Sequence, residues 1–282
     1  MKIVLAPHSG FCFGVKRATN MAFDAVAEAD CTLCSLGPII HSPQLVARLE
    51  EKGVTVVDQV EGLVDGSVIL RSHGVRAEEL AAIRQRGLTV IDATCPFVKK
   101  AQEHAALLSR EGYDLLLVGE REHPEVQGIL SYAAGGKGQV FVVADRAAAA
   151  ALPLLGRLGV VAQTTQSPEN LRQIVEVCID KCKELRVFNT ICDATAVRQD
   201  EARRLAGEVE VMLVVGGYNS ANTRRLAQVC LEVQPRTHHI ETAAEIDPGW
   251  FVGIASVGVT AGASTPRWII DEVMAAVAAA AK

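Results

Sequence analysis

Three cysteines, Cys12, Cys95 and Cys192, each stand where a strand reads as giving way to a helix, and that placement favours chemistry at sulfur. The stretches are Pro7-His-Ser-Gly-Phe-Cys12-Phe-Gly-Val-Lys-Arg-Ala18, Asp92-Ala-Thr-Cys95-Pro96-Phe-Val-Lys-Lys-Ala101 and Asn189-Thr-Ile-Cys192-Asp-Ala-Thr-Ala-Val-Arg-Gln199. In the second, Leu88, Val90 and Ile91 close a buried strand, and Pro96 falls in a first helical turn, where proline is tolerated. Backbone N–H groups and the helix dipole at such a position favour the thiolate, the form that acts as nucleophile or metal ligand. Three equivalent cysteines imply one three-ligand site.

The spacing narrows the metal. Structural zinc takes four closed ligands, usually in closely spaced pairs, whereas these cysteines lie 83 and 97 residues apart. Four cysteines complete an ordinary iron–sulfur cluster, so three leave one iron of a [4Fe–4S] cluster without a protein ligand. Such an iron can act as a Lewis acid on a substrate oxygen and pass electrons into it.

Polar residues recur in step with the cysteines. His41, His123 and Ser220 follow Cys12, Cys95 and Cys192 by 29, 28 and 28 residues, and His73, Thr164 and Ser264 follow them by 61, 69 and 72. The pattern predicts an α/β fold of three similar units: residues 13–94, residues 95–191, and residues 192–282 joined by the N-terminal strand of residues 1–12. Ligands of open α/β sheets bind beyond the carboxyl ends of the strands. The three cysteines are therefore expected to be ringed by His41, His73, His123, Glu125, Thr164, Ser220, Asn222 and Ser264. Histidine, serine, threonine and asparagine with helix N-termini suit an anion. No P-loop is present, and Gly258 to Ser264 lacks the dinucleotide GxGxxG spacing.

The elements that must position these residues follow from periodicity. Strands are predicted at Met1–Ala6, Val54–Asp58, Ser67–Leu70, Tyr113–Val118, Gln139–Ala144, Leu158–Ala162, Val209–Val215 and Val252–Val257. Helices open at Ser42-Pro43, Cys95-Pro96, His123-Pro124 and Ser167-Pro168. Cys31 and Cys34 fall in a strand and point to opposite faces, a structural reading. Cys178 and Cys182 are expected together on one face of a helix, and Cys230 on another, as small core hydrophobes. His238 and His239 are assigned no role. An alanine-rich helix over Val273 to Ala281 closes the chain.

Composition agrees with a soluble globular protein. The 282 residues are 49% hydrophobic and 22% charged, enough for more than one subdomain. A net charge of −5 without a long basic run argues against nucleic acid, and no stretch suits a membrane span or signal peptide, so cytoplasm is the default. Eight cysteines in so long a chain point to metal ligation rather than a disulfide framework.

Taken together, Gly-Phe-Cys12-Phe-Gly-Val, Arg-Ser-His73-Gly-Val, Asp-Ala-Thr-Cys95-Pro, His123-Pro-Glu125-Val, Gln163-Thr164-Thr, Thr-Ile-Cys192, Asn219-Ser-Ala-Asn222 and Val-Thr-Ala-Gly-Ala-Ser264 resemble the 4-hydroxy-3-methylbut-2-enyl diphosphate reductase (IspH/LytB) family, in order and over nearly the whole chain. The resemblance implies a pseudo-threefold trefoil around a central iron–sulfur cluster. It implies the last step of the non-mevalonate (MEP/DOXP) isoprenoid route, in which two electrons and two protons remove an allylic hydroxyl to give isopentenyl and dimethylallyl diphosphates. It assigns Cys12, Cys95 and Cys192 to the [4Fe–4S] cluster, and His41, His73, His123, Ser220, Asn222 and Ser264 to the diphosphate. Glu125 delivers protons, Thr164 orients the hydroxyl or a water, and His123 joins the relay. Ala221 departs from the family's usual serine, a loss of one hydrogen bond worth roughly 1.5–3 kcal/mol if charge-assisted. An external ferredoxin or flavodoxin is implied as electron donor.

Two other readings of the residues stand beside it. An iron–sulfur hydro-lyase would use the open iron without net electron transfer. A non-enzymatic diphosphate-binding protein with a structural metal would bind without turnover.

Overall fold

A computed structural model describes every residue except 29–30, 64 and 281–282, so Ala281 of the closing helix lies outside the described residues. In chain order the elements are β1 (Lys2–Leu5), α1 (Phe13–Glu28), β2 (Leu33–Leu36), α2 (Pro43–Glu50), β3 (Val54–Val57), β4 (Ser67–Leu70), α3 (Ala77–Gln85) and β5 (Thr89–Asp92). There follow α4 (Pro96–Arg110), β6 (Asp114–Val118), α5 (Pro124–Ala133), β7 (Val140–Val143), α6 (Arg146–Ala150), β8 (Leu155–Ala162), α7 (Pro168–Ile179) and β9 (Cys182–Val187). The chain ends with α8 (Asp193–Glu208), β10 (Val211–Val215), α9 (Ala221–Leu231), β11 (Thr237–Ile240), two 3₁₀ turns, β12 (Ser256–Ala261) and α10 (Arg267–Ala280).

The strands form three four-stranded sheets, every pairing parallel. Their orders are β3-β2-β4-β5, β7-β6-β8-β9 and β11-β10-β12-β1. Calling the strands of each unit first to fourth, all three sheets run second, first, third, fourth. The third sheet obeys the rule only because β1, from the opposite end of the chain, serves as its fourth strand, pairing Lys2 with Ser256 through Leu5 with Val259. The repeat inferred from residue spacing is thus a repeat of topology.

The chain divides into two compact units. One comprises Met1–Lys16, Ile40–Arg48 and Asp193–Lys282; the other comprises Arg17–Ile39 and Leu49–Cys192. The first unit holds the sheet of β10, and all five residues of that strand are buried. Such a continuous apolar run is what a parallel strand covered on both faces requires. Leu213, Val215, Val257 and Val259 pack against Ile269, Ile270, Val273 and Val277 of α10. Met212 and Val214 face Ala202 and Leu205 of α8 and Leu226 and Cys230 of α9. Each fully buried Val or Leu contributes about 1.5–3 kcal/mol.

The second unit holds the other two sheets. Leu115 and Leu117 of β6 pack with Ala101, Ala105 and Leu108 of α4 and Ile129 of α5, while Leu116 and Val118 pack with Leu171, Ile174 and Cys178 of α7. In the sheet of β2, Leu36, Val68 and Leu70 pack with Val75, Ile83 and Leu88.

Four expectations change. The last strand runs Ser256–Ala261, not Val252–Val257; residues Pro248–Phe251 form a 3₁₀ turn instead. Gly258, read as the start of a loop, lies inside β12 because a helix crosses it closely: a Cβ there would come within 2.8 Å of Met212 Sδ and 3.0 Å of Leu205 Cγ. Gly258→Val is therefore expected to destabilise the fold by about 1–3 kcal/mol, read as a lowered urea midpoint. Cys182 is not on the helix with Cys178; α7 ends at Ile179, and Cys182 opens β9. Cys31 lies in a bend ahead of β2, exposed, with its sulfur near Ser67 Oγ, while Cys34 is buried in the strand. The helix α6 and the edge strand β9 were not expected at all.

Candidate active site

Each cysteine of interest follows the fourth strand of its sheet and immediately precedes a helix: Cys12 after β1 and before α1, Cys95 after β5 and before α4, Cys192 after β9 and before α8. One hydrogen bond is repeated at all three. The backbone N–H of Cys12 donates to the Ala263 carbonyl (3.2 Å), that of Cys95 to Ser72 (2.9 Å) and that of Cys192 to Thr164 (2.9 Å). In each case the acceptor lies in the loop after the third strand. The cysteine turn is thus locked to the neighbouring strand end, and strand order alone makes them neighbours.

The sulfurs sit where helix N–H groups begin. Val15 N–H points at Cys12 Sγ (3.4 Å), and Cys95 is the N-cap of α4 with Pro96 at the first helical position. All eight cysteines are free. Burial pushes the thiols of Cys34 and Cys182 up, that of Cys178 to about 11 and that of Cys230 to about 12. Those four are poor thiolates in apolar surroundings; of the three helix-start cysteines, Cys12 has a backbone N–H aimed at its sulfur. Free cysteine thiols at helix starts are the donor type that an iron–sulfur cluster takes. Among the described residues, no group of three or more His, Cys, Asp or Glu side chains gathers closely enough to hold a metal ion.

In the second unit, His73, His123, Glu125 and Thr164 lie at the ends of β4, β6 and β8. The His73 and His123 rings meet edge to face, centroids 5.7 Å apart. His123 is the N-cap of α5, its Nδ1 accepting the Glu125 N–H (3.1 Å), which leaves the ring proton on Nε2. Glu125 is 1% exposed, and its carboxylate accepts two bonds from Thr164, from N–H (2.6 Å) and from Oγ–H (2.9 Å). Burial outweighs both and raises its pKa to about 7. Thr164→Val removes one of the two bonds that hold that value down. The midpoint of Glu125 is expected to rise further, as the carboxyl stretch followed by infrared against pH would show.

In the first unit, Ser220 is the N-cap of α9, its Oγ accepting the Thr223 N–H (3.3 Å). Ala221 and Asn222 follow in the first helical turn, where N–H groups have no intrahelical partner. Asn222 Nδ2 is buried without a hydrogen-bond partner among the described residues. Ser264, after β12, donates from Oγ to the His41 carbonyl (3.1 Å), and that same carbonyl would lie 2.9 Å from a Cβ on Gly217. The first unit therefore brings His41, Ser220, Ala221, Asn222 and Ser264 to the β10 and β12 strand ends with Cys12. The second brings His73, His123, Glu125 and Thr164 together with Cys95 and Cys192.

Two buried residues at these strand ends escaped the sequence. Gln163 is fully buried beside Thr164; its Oε1 accepts the Glu120 N–H (3.1 Å) and its Nε2 has no partner among the described residues. Arg198 of α8, 6% exposed, donates to the Gly10 carbonyl (2.9 Å) and so braces the turn that carries Cys12. The QTT stretch carried a signal for Gln163. An arginine in a helix carries none, because the pattern reads as a solvated face.

Residues 3–278 match the model of the LytB protein family. The chain belongs to the LytB family. Relatives within it include the 4-hydroxy-3-methylbut-2-enyl diphosphate reductases of Syntrophotalea carbinolica, 63% identical over 274 residues covering 97% of each chain, and of Pelobacter propionicus, 61% identical over 97% of this chain and 96% of that one. Among solved structures, an (E)-4-hydroxy-3-methyl-but-2-enyl diphosphate reductase described as the terminal enzyme of the non-mevalonate pathway is 46% identical, with a TM-score of 0.71 over 99% of this chain and 100% of that one. The Plasmodium falciparum E-1-hydroxy-2-methyl-but-2-enyl-4-diphosphate reductase is 25% identical, with a TM-score of 0.90 over 99% of this chain and 87% of that one. LytB membership carries with it an iron–sulfur cluster in general terms and an oxidoreductase activity. Among the described residues, no helix is long and apolar enough to cross a membrane.

Proposed function

We infer that this LytB chain is a 4-hydroxy-3-methylbut-2-enyl diphosphate reductase, removing the allylic hydroxyl with two electrons and two protons to give isopentenyl and dimethylallyl diphosphates. The observation that carries the reading is full-length kinship to reductases, 63% identity over 97% of both chains in one case. Cys12, Cys95 and Cys192 would hold the [4Fe–4S] cluster, which when bound would supply Lewis acidity toward the allylic oxygen and the electrons.

The remaining work falls to side chains. Expelling hydroxide from an allylic carbon needs a proton for the leaving oxygen. Glu125, with a pKa of about 7, carries one at neutral pH and can release it. Thr164, whose Oγ–H bonds to the same carboxylate, orients the hydroxyl or a water, and His123, one hydrogen bond from the Glu125 backbone, joins the relay. His41, His73, His123, Ser220, Asn222 and Ser264 bind the diphosphate by hydrogen bonds. Ala221 contributes its N–H from the first turn of α9, so the missing hydroxyl weakens binding without abolishing it. The electrons arrive from an external ferredoxin- or flavodoxin-type donor, and the reaction belongs in the cytoplasm. Residues 13–94, 95–191 and 1–12 with 192–282 are the three subdomains of this assembly.

The test is anaerobic turnover of the allylic diphosphate with reduced methyl viologen, coupled to iron and sulfide analysis. About four of each per chain and isoprenyl diphosphates formed only with reductant are expected. Turnover without reductant would mean a hydro-lyase, and tight binding without turnover would mean a diphosphate-binding protein.

A further inference from the structure

Arg71 directly follows β4, and its side chain turns back on the residues after it. Residues 71–74 form a tight turn in which the Gly74 N–H donates to the Arg71 carbonyl (2.9 Å), with His73 at the third position and Gly74 at φ +75°. Arg71 closes the same turn a second time, its Nε–H donating to the Gly74 carbonyl (3.1 Å). That is its one side-chain hydrogen bond among the described residues. Burial and Arg76 oppose its charge, while Glu79 and Asp58 favour it.

The guanidinium occupies a space that Gly37 leaves open. A Cβ on Gly37 would lie 2.5 Å from Arg71 Nη1, and Gly37 has no room to retreat. Its N–H donates to the Val57 carbonyl (2.8 Å), its carbonyl accepts the Ser35 Oγ–H (2.6 Å), and its φ is +70°. On the other side of the turn, the Gln102 amide of α4 would meet a Cβ on Gly74 at 2.6 Å. The first half of the turn is fixed through its backbone: the Ser72 N–H donates to the Ile39 carbonyl (3.0 Å), and the Ser72 carbonyl accepts the Cys95 N–H (2.9 Å). All these residues belong to the second unit. What the Arg71 side chain adds is a hold on the second half, His73 and Gly74, and so on the place of the His73 ring, edge to face with His123. A hydrogen bond weakens steeply once its angle is lost, so a ring carried by a loosened turn holds an anion less well.

We propose that Arg71, admitted by Gly37, is a positioning residue that presents His73 to the substrate diphosphate without touching the diphosphate itself. The proposal rests on the reductase reading, in which His73 binds that anion.

The test is steady-state turnover of the allylic diphosphate by the holoenzyme with reduced methyl viologen, with iron content measured alongside. Arg71→Met removes the guanidinium, and Gly37→Ala drives it from its place. Each is expected to raise KM about tenfold while kcat stays within about twofold and iron is unchanged. His73→Ala also raises KM, and adding Arg71→Met to it raises KM no further, because both changes remove the same interaction. A further tenfold rise in that double variant would mean that the guanidinium acts on the diphosphate directly. A fall in kcat in step with iron, at unchanged KM, would mean that it only supports the fold. Either result, or a wild-type KM in both single variants, overturns the proposal. A second readout needs no turnover: the His73 ring-proton signals in NMR spectra of the protein as purified are expected to shift in Arg71→Met and Gly37→Ala. Unshifted signals in both overturn the positioning role. Shifted signals alongside a wild type that reduces no allylic diphosphate leave that role standing and sink the reductase reading instead.

Discussion

Glu125→Gln is expected to lower turnover roughly 10²–10⁴-fold while making the protein more stable at alkaline pH. The first effect follows from removing a carboxyl that, among the described residues, is buried at the second unit's strand ends and holds a proton near neutrality. The second follows from linkage. Burial raises the folded-state pKa of Glu125 from 4.5 to about 7, so folding favours the protonated form. That contribution is fully present below the unfolded pKa, shrinks between 4.5 and about 7, and is gone above the folded pKa. At pH 8 the wild type thus bears a penalty of about 3 kcal/mol that glutamine, neutral at every pH, does not. Denaturation midpoints of the two proteins should diverge in favour of the variant from pH 5 to pH 8. Wild-type turnover should fall as pH rises through about 7, where the carboxyl loses its proton. A stability difference that is flat with pH would remove the basis for treating Glu125 as a neutral acid.

Cys95→Ser should separate function from fold in the opposite sense to an ordinary core mutation. Loss of one cluster ligand is expected to reduce iron content sharply and turnover by at least roughly a thousandfold. Yet Cys95 occupies the N-cap of α4 in an extended conformation, φ −59° and ψ 133°, and its side chain makes no cap hydrogen bond. Serine is among the preferred N-cap residues, so the metal-free variant should match or exceed the metal-free wild type by about 0.5–1 kcal/mol. Cys178→Ser supplies the contrast. That sulfur is fully buried in the core of α7, so a hydroxyl there should cost about 1–3 kcal/mol while leaving iron content unchanged. Iron analysis and urea midpoints on the two variants distinguish a ligand from a packing cysteine.

Much of the fold was legible because parallel strands buried on both faces announce themselves: Val211–Val215 and Leu115–Val118 could be little else. The strand-end residues were legible for a related reason, since Ser-Pro, Cys-Pro and His-Pro pairs mark where a helix begins just beyond a strand. What escaped has physical causes. The edge strand β9, Cys-Lys-Glu-Leu-Arg-Val, is paired on one side only and has no buried residue, so it carries the charges of a surface segment and none of the apolar run. Gly258 reads as a loop residue because sequence shows the missing side chain but not the helix that needs the space. Arg198 braces the Cys12 turn through one carbonyl nearly two hundred residues away, a contact no local pattern can contain. The chemistry at Glu125 was half legible: its type and neighbours pointed to proton transfer, but only its burial makes it an acid at neutral pH.

The borrowed strand of the third sheet also sets a timetable. β1 leaves the ribosome well ahead of its partner β12, which ends at Ala261, so about 250 residues are synthesised before β1 can pair. At bacterial-to-eukaryotic elongation rates that interval is roughly 10–50 s. During it, the sheets of β2 and β6 can close from contiguous sequence, while Lys2–Leu5 waits with an open edge. Newly made chains are therefore most vulnerable to mispairing at β1, and a circular permutant that places Met1–Cys12 after Lys282 would abolish the wait without altering a single strand neighbour.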